Sequence, residues 1–232
     1  KAIRRQRQMC IRDRTDPHLF KNYGINSLDD KKVNRSELLK MCGLEASDET
    51  MVIGMVGRLT SQKGLDLVQC VLNDILEKDV RMIVLGTGDY DYEQMFMRAK
   101  WEHPDKISTN IMFSADLANK IYAGCDLFLM PSLFEPCGLA QMIAMRYGTL
   151  PLVRETGGLK DTVQPYNQFT GEGTGFSFAN YNAHEMLHVI EEAAALFRHD
   201  QKAWRQMQCN AMNRDFSWDR SAQAYIDLYQ GI

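Results

Sequence analysis

The chain has 232 residues, of which 45% are hydrophobic and 25% are charged, and such a composition is typical of a globular protein. It excludes a disordered, collagen-like or coiled-coil protein, and the length corresponds to one large domain or two small ones. No apolar run approaches the roughly 18–20 residues of a membrane helix, so we predict no membrane partner. The six cysteines lie far apart without a CxxC pair, which argues against a disulfide framework and indicates a reducing, cytoplasmic location.

The formal net charge of −3 hides an uneven distribution. Residues 1–14 form a basic arm with six of the 27 basic residues and one of the 30 acidic ones, which leaves a net charge of −8 on the rest. An acidic body argues against nucleic acid as the main partner. The arm lacks the apolar core of a secretory signal, whereas a nucleic-acid tether or a targeting element stays open. Its sequence also resembles translated adapter sequence, an artefact, and no fold prediction rests on it.

Beyond the arm, short apolar runs alternate with longer helical patterns. The apolar runs predict strands, which cover residues 51–57, 81–86, 107–113, 126–130 and 150–154. The helical patterns predict helices over residues 64–76, 89–102, 115–124 and 139–147, and a helical tail over 182–229 that breaks near residues 200 and 216–218. Because continuous apolar strands alternating with helices form parallel sheets covered on both faces, we predict an α/β, Rossmann-like fold. Ligands of such sheets bind at the carboxyl ends of the strands.

The loop after the first predicted strand carries two cations. Gly57 and Arg58 are followed by Lys63, just before the next predicted helix. Backbone amides at a helix start favour anions, and an arginine with a lysine suits a diphosphate. Ordinary solvated charges are the alternative, and the spacing of a Walker A loop is absent.

The loop after the second predicted strand contains Gly86 and Gly88. A dinucleotide fingerprint needs a third glycine and a place in the first strand–helix unit, and both are missing. We therefore predict a tight turn in which Asp89 caps the next helix, rather than an NAD(P) site.

The loop after the fourth predicted strand is the densest in informative residues. Pro136 favours an extended conformation for Glu135, and Cys137, Gly138 and Leu139 then present free amides at a helix start. A carboxylate beside such amides suits a ligand that carries both hydroxyls and phosphate. A solvated loop carboxylate is the alternative, and no nearby histidine could activate Cys137 as a nucleophile.

Gly157 and Gly158 follow Thr156 after the fifth predicted strand, where paired glycines permit close approach of a ligand or form a flexible turn.

His184 and His188 lie four residues apart on a predicted helix, a spacing that could hold a metal. Without a third ligand nearby, we predict surface or packing roles for both histidines and no metal site.

In this order and spacing, the loops and their flanking motifs resemble the glycogen/starch synthase family from about Asp16 to the end of the chain. The motifs that carry the resemblance are RLT and QKG at 58–64, LGTGD at 85–89, IYAG at 121–124, MPS at 130–132, FEPCGL at 134–139, PLVR at 151–154, TGGL at 156–159, DTV at 161–163, GTGF at 173–176 and FSW at 216–218.

The resemblance implies the C-terminal half of a GT-B glycosyltransferase, in which two Rossmann-like domains face each other across a cleft. It implies an interdomain lead-in over residues 15–50, a nucleotide-sugar-binding domain over 51–180 and C-terminal helices over 181–232. The implied reaction of glycogen synthesis transfers glucose from ADP-glucose to the non-reducing end of an α-1,4-glucan with retained configuration. The implied partners are the donor, the glucan acceptor and the N-terminal domain of the same enzyme, without which this chain alone is expected to be inactive.

The resemblance also implies residue roles. Arg58 and Lys63 would hold the donor diphosphate and stabilise the departing ADP, and Glu135 would contact the glucose hydroxyls. The other expected donor-binding residues are Gly57, Phe113, Cys137, Gly138, Leu139, Thr156, Gly157 and Gly158, of which Phe113 matches an aromatic position that stacks on adenine. No cofactor is implied, and the absence of a DxD motif predicts activity without a divalent ion.

Two other functions compete with this interpretation. A non-catalytic module that binds a nucleotide sugar or a glucan could keep the same fold, although it would not need to keep the two cations. An NAD(P) oxidoreductase is disfavoured by the missing fingerprint. The sequence leaves the choice between ADP and UDP open.

Overall fold

A computed structural model describes residues 16–216 and 218–230, and the basic arm of residues 1–14 lies outside this range. The strands are β1 Met51–Val56, β2 Val80–Leu85, β3 Ile107–Asn110, β4 Leu127–Met130, β5 Leu150–Arg154 and β6 Phe176–Phe178. The α-helices are α1 Lys31–Cys42, α2 Leu65–Glu77, α3 Tyr90–Glu102, α4 Ala115–Gly124, α5 Ala140–Arg146, α6 Gly157–Thr162, α7 Ala183–His199, α8 Gln201–Met212 and α9 Trp218–Gln230. Short 3-10 turns cover Ile25–Asp30 and Ser61–Lys63.

The six strands form one parallel sheet in the order β3-β2-β1-β4-β5-β6. This is the strand order of a Rossmann fold, and it confirms the predicted α/β class. The order reverses between β1 and β4, whose registers align Ile53 with Leu127 and Gly54 with Phe128. At such a reversal point, Rossmann-like sheets bind their ligands in a crevice outside the carboxyl ends of the strands.

The alternation of side chains along β1 divides the core into two layers. Met51 and Ile53 point into a large apolar cluster shared with α2, α7 and α8, whereas Val52 joins a smaller cluster with α1 and α4. Gly54 keeps the second layer thin, because a Cβ there would lie 2.7 Å from Ile121 Cγ2 and 2.8 Å from Cys125 Sγ. Both faces of the sheet are thereby covered, as continuous apolar strands require.

The segment before β1 is bound tightly to the helices beside β4. The Tyr23 hydroxyl lies within hydrogen-bond distance of two backbone oxygens, those of Tyr147 at 2.7 Å and Ala123 at 3.1 Å. Buried Asp16 accepts a hydrogen bond from the Tyr147 hydroxyl at 2.6 Å. These hydrogen bonds join the lead-in to the rest of the fold from Asp16 onward.

Most predicted elements are present within one residue of their predicted bounds, and the differences concern the third strand, helices α1 and α6 and strand β6. The third strand ends at Asn110 rather than at residue 113, because the Met112 amide turns back to donate to the Asn110 carbonyl. Helix α1 was not predicted, since its sequence is mostly polar and its buried apolar residues are only Leu38 and Leu39. Strand β6 was missed because three residues are too short for a period to be visible.

Within residues 16–216 and 218–230, no helix is long and apolar enough to cross a membrane.

Candidate functional site

The predicted cations and the predicted carboxylate meet in the crevice between β1 and β4. Arg58 and Lys63 come from the loop after β1, and Glu135 comes from the loop after β4. Gly57, Gly138 and Leu139 also line this crevice. Six of the eleven predicted site residues are thus brought together around one concave surface.

Backbone contacts fix the loop after β1 against the loop after β4. The Leu133 amide donates to the Gln62 carbonyl at 3.0 Å, and the Gln62 side chain donates to the Phe134 carbonyl at 3.3 Å. Gly64 has a φ of 72°, and a Cβ at this position would lie 2.0 Å from the Pro131 carbonyl oxygen. Only glycine combines this conformation with this close approach.

Lys63 and Glu135 form an ion pair through Nζ and Oε2. The Lys63 side chain is 24% exposed and the Glu135 side chain 13%, so the pair is partly shielded from solvent. The Arg58 side chain is exposed, and no hydrogen bond or ion pair joins its guanidinium to another described residue. Its guanidinium is available to an anion entering the crevice.

The start of α5 presents backbone donors to the crevice. No described residue accepts a hydrogen bond from the amides of Cys137, Gly138 or Leu139. Gly138 has a φ of 68°, which turns the chain from the proline-containing loop into the helix that begins at Ala140. These three amides are therefore available as donors, and their binding of an anion stays a prediction.

The Thr156–Gly158 segment packs on the outer side of the same loop. The Gly158 amide donates to the carbonyls of Glu135 and Pro136, both at 3.2 Å. A Cβ on Gly157 would lie 2.3 Å from the backbone carbonyl oxygen of Glu135. A Cβ on Gly158 would lie 2.1 Å from the backbone carbonyl oxygen of Cys137. In the structure, the paired glycines therefore permit close packing of two loops, and they begin helix α6 rather than precede it.

Phe113 stands apart from the crevice. Its side chain is 93% exposed and lies three residues beyond β3, which corrects the prediction that it ends a strand. Strand β3 is separated from β4 by β2 and β1, so about 14 Å of sheet edge lies between the Phe113 loop and the Glu135 loop. This span suits a ligand with a base at one end and a diphosphate at the other.

Gln141 is a site residue whose role the sequence did not reveal. It is fully buried, and its side-chain nitrogen donates to the Gly138 carbonyl at 2.9 Å, to the Cys137 carbonyl at 3.3 Å and to Thr162 Oγ1 at 3.0 Å. The two carbonyls settle the orientation of the amide, because an oxygen in that place would face two acceptors. Gln141 thereby connects the start of α5 to α6. A buried amide at the second position of a short helix was the only available signal.

Arg154 was also recognised only as part of a motif. Its guanidinium donates to the carbonyls of Ser132 at 2.9 Å and of Leu133, and it lies over the Tyr181 ring at 5.4 Å. The Tyr181 hydroxyl donates to Asp66, and burial together with this carboxylate raises the pKa of Tyr181. Arg154 therefore supports the loop after β4 from behind.

The histidine pair and Asp89, the other residues considered in the sequence, lie outside the crevice lining. His184 and His188 are exposed on α7, and His188 lies 3.5 Å from Glu192. Asp89 precedes α3 in an extended conformation, but its side chain makes no capping bond. Among residues 16–216 and 218–230, no group of three or more His, Cys, Asp or Glu could hold a metal ion. Independence of a divalent metal stays a prediction.

Comparisons with known proteins agree with this geometry. Residues 43–211 match the family model described as "Glycosyl transferases group 1". The chain is 53% identical over 218 residues to a glycogen synthase of Clostridium acetobutylicum, and this alignment covers 94% of the chain and 46% of the relative.

Two solved structures extend the comparison. The catalytic domain of starch synthase IV from Arabidopsis thaliana, bound to ADP and acarbose, matches with a TM-score of 0.86 at 33% identity, over 94% of this chain and 46% of that one. Anabaena HepE in complex with UDP and glucose matches with a TM-score of 0.64 at 20% identity, over 92% of this chain and 56% of that one, a likeness of fold alone. The resemblance to glycogen and starch synthases is confirmed, and the chain spans about half the length of the curated relatives it matches.

Proposed function

The chain belongs to the group 1 glycosyl transferases, and from this premise we propose that it forms the donor-binding half of a retaining glucosyltransferase. The complete enzyme would transfer glucose from ADP-glucose to the non-reducing end of an α-1,4-glucan, as in glycogen synthesis. The single observation that carries the proposal is the meeting of Arg58, Lys63 and Glu135 in the crevice where the strand order reverses. That crevice is where Rossmann-like sheets bind nucleotides.

The choice of ADP-glucose as donor draws on the relatives. The starch synthase IV structure contains ADP, and the curated relatives at 52–53% identity are glycogen synthases. Phe113 would stack on the adenine from its exposed position beside β3. Gly57 would allow the diphosphate to approach the backbone closely, and the Thr156–Gly158 segment would close the phosphate side of the site.

The reaction would depend on stabilising a leaving group. As the bond between glucose and the diphosphate breaks, negative charge accumulates on the departing ADP. Arg58, Lys63 and the amides of Cys137–Leu139 would stabilise this charge more than that of the ground state. Removal of one such donor typically raises a barrier by about 3–4 kcal/mol. The Glu135 carboxylate would accept hydrogen bonds from the glucose hydroxyls and so hold the transferred sugar.

The exposed apolar face of helix α9 is evidence that the chain has a protein partner, which we identify with the N-terminal domain of the same enzyme. One half of the helix circumference carries four exposed apolar or aromatic side chains, those of Tyr225, Ile226, Leu228 and Tyr229. Such a surface normally packs against another part of a protein. We propose that it docks on the N-terminal domain, which would also supply the acceptor side of the cleft.

The five cysteines among the described residues are unpaired, which supports a cytoplasmic location.

Calorimetry on the 232-residue chain tests the proposal. ADP should bind with a measurable Kd at millimolar concentration or below, and Arg58→Ala should weaken binding by about tenfold, because a charge-assisted hydrogen bond is lost. The exposed Arg98 on α3 offers a matched control, and Arg98→Ala should leave the Kd unchanged. Absence of ADP binding to folded wild-type protein would contradict the proposal. Equal binding of ADP by wild type and Arg58→Ala would favour a module that binds without the leaving-group cations.

A further inference from the structure

The ion pair between Lys63 and Glu135 joins the two groups that a nucleotide sugar would need to separate. We propose that Glu135 is an internal competitor for the Lys63 ammonium, and that it weakens binding of the product diphosphate relative to the nucleotide sugar. The inference rests on the proposed function and assigns to Glu135 a role in product release, in addition to contact with sugar hydroxyls.

Competition requires that the carboxylate stays within reach of the ammonium. The two loops are held together by the Leu133–Gln62 and Gln62–Phe134 hydrogen bonds and by the contact of Gly64 with Pro131. The pair is therefore maintained by the backbone and is not a chance meeting of two flexible side chains. A diphosphate that approaches Lys63 has to displace or share an acceptor that is already in place.

The energetic consequence differs between donor and product. The pair is only 24% and 13% exposed, so a carboxylate that loses its cation there regains little hydration. The hydroxyls of a bound glucose can donate hydrogen bonds to Glu135 and replace the lost ammonium. A nucleoside diphosphate alone brings no glucose hydroxyls, so Glu135 stays without a partner when Lys63 turns to the diphosphate. After transfer, Glu135 therefore favours the return of Lys63 and the departure of the diphosphate.

Arg58 makes the competition selective for Lys63. It lines the same crevice but has no ion pair to another described residue. It can attract the ligand without displacing an internal partner. Arg58, whose guanidinium has no ion-pair partner among the described residues, would capture the donor. Lys63, which is paired with Glu135, would let the product leave.

The test compares the Kd of ADP with that of ADP-glucose for Glu135→Gln, which keeps the shape of the side chain and removes its charge. We expect ADP to bind about fivefold or more tightly, the scale of a partly shielded ion pair. ADP-glucose should bind no more tightly than to wild type, so the ratio of the two constants should shift by the same factor. Glu155→Gln removes the carboxylate that follows β5 at the same sheet edge and should leave the ratio unchanged.

A second background separates competition from simple charge repulsion. In Lys63→Met, where nothing is left to compete for, adding Glu135→Gln should change ADP affinity by less than about twofold. Full tightening in that background would overturn the competitor role. Glu135→Asp keeps the charge with a shorter reach and should give a smaller tightening, so the question stays decidable if one variant folds poorly, as judged by circular dichroism.

The outcomes also distinguish this inference from the proposed function. Wild-type protein that binds ADP, together with a Glu135→Gln variant that binds it equally or more weakly, overturns the competitor role alone. Wild-type protein that binds no ADP overturns both proposals.

Discussion

Lys31 shows how far a single residue can be shaped by its surroundings. Its ammonium donates to the Ala123 carbonyl and to Thr149 Oγ1, both at 2.7 Å, and the residue is buried. Burial lowers the pKa of Lys31 from 10.5 to about 8, and the nearby Asp126 carboxylate, which is paired with Arg35, offsets only part of that effect. The folded protein therefore holds this proton less firmly than the unfolded chain does.

The stability of the protein should depend on pH through Lys31. Between pH 8 and pH 10.5 the unfolded chain retains a proton that the folded protein has released, so raising the pH through this interval favours the folded state. Urea unfolding of wild type and Lys31→Met should show a difference that grows in favour of wild type by on the order of 2 kcal/mol from pH 8 to pH 10. Exposed Lys32 gives the control, because Lys32→Met should run parallel to wild type. A constant difference between wild type and Lys31→Met across this range would contradict the assignment.

At the scale of elements, the loops of the site are held by contacts between backbones. Gly64 touches Pro131, Gly157 touches Glu135, and Gly158 touches Cys137. Each contact lies between loops that leave neighbouring strands, so the three loops support one another across the crevice. Gln141 adds a buried side-chain connection within the same group.

Two glycines have nearly the same φ but different surroundings, so their substitutions by alanine distinguish the effect of a loop contact from that of backbone strain. Gly43 has a φ of 67° with nothing within 4 Å of a Cβ, whereas Gly64 has a φ of 72° and a carbonyl oxygen at 2.0 Å. Gly43→Ala should cost about 1–2 kcal/mol of unfolding free energy, the strain of a left-handed alanine. It should leave the Kd for ADP unchanged. Gly64→Ala should cost more and weaken ADP binding by about tenfold, because the two loops are forced apart. Equal effects of both substitutions on ADP binding would refute the loop contact as the cause.

The same contrast explains what could be predicted from the sequence. Strands β1, β2, β4 and β5 were predictable because each is an apolar run bounded by polar turns, and their carboxyl ends located Arg58, Lys63 and Glu135. Helix α1 and strand β6 were not, since tertiary contacts rather than periodicity hold them. The pairing of Lys63 with Glu135 was also beyond prediction, because it depends on how closely two loops 72 residues apart approach each other. The predicted roles of the site residues await measurement.

At the scale of the whole molecule, α9 leaves an apolar surface open. In an isolated chain, the exposed side chains of Tyr225, Ile226, Leu228 and Tyr229 face solvent. Burying such a surface is favourable by about 25 cal/mol per Å², so these helices should associate with one another when their proposed partner domain is absent.

Sedimentation velocity tests this expectation. The isolated chain should self-associate as its concentration rises, and the double substitution Ile226→Glu and Tyr229→Glu should remove the association by placing charges on the apolar half of α9. Gln230→Glu, on the polar half, should not remove it. The Kd for ADP should be the same in all three proteins, because α9 contributes no residue to the lining of the crevice. A wild-type chain that stays monomeric at every concentration would contradict this role for the exposed surface.

The packing of the site loops through glycines has a consequence for how such a site changes over evolutionary time. A surface formed by backbone atoms changes little when side chains are substituted, so substitutions elsewhere in the loops should leave the proposed anion-binding surface intact. Replacement of the touching glycines, by contrast, has no intermediate that is tolerated, since even one methyl group meets a carbonyl oxygen at 2.0–2.3 Å. Adaptation to a new donor is therefore expected at exposed side chains nearby, such as Leu133 and Phe134 on the loop after β4 and Phe113 beyond β3. The surface proposed to bind the diphosphate would stay constant while these side chains diverge.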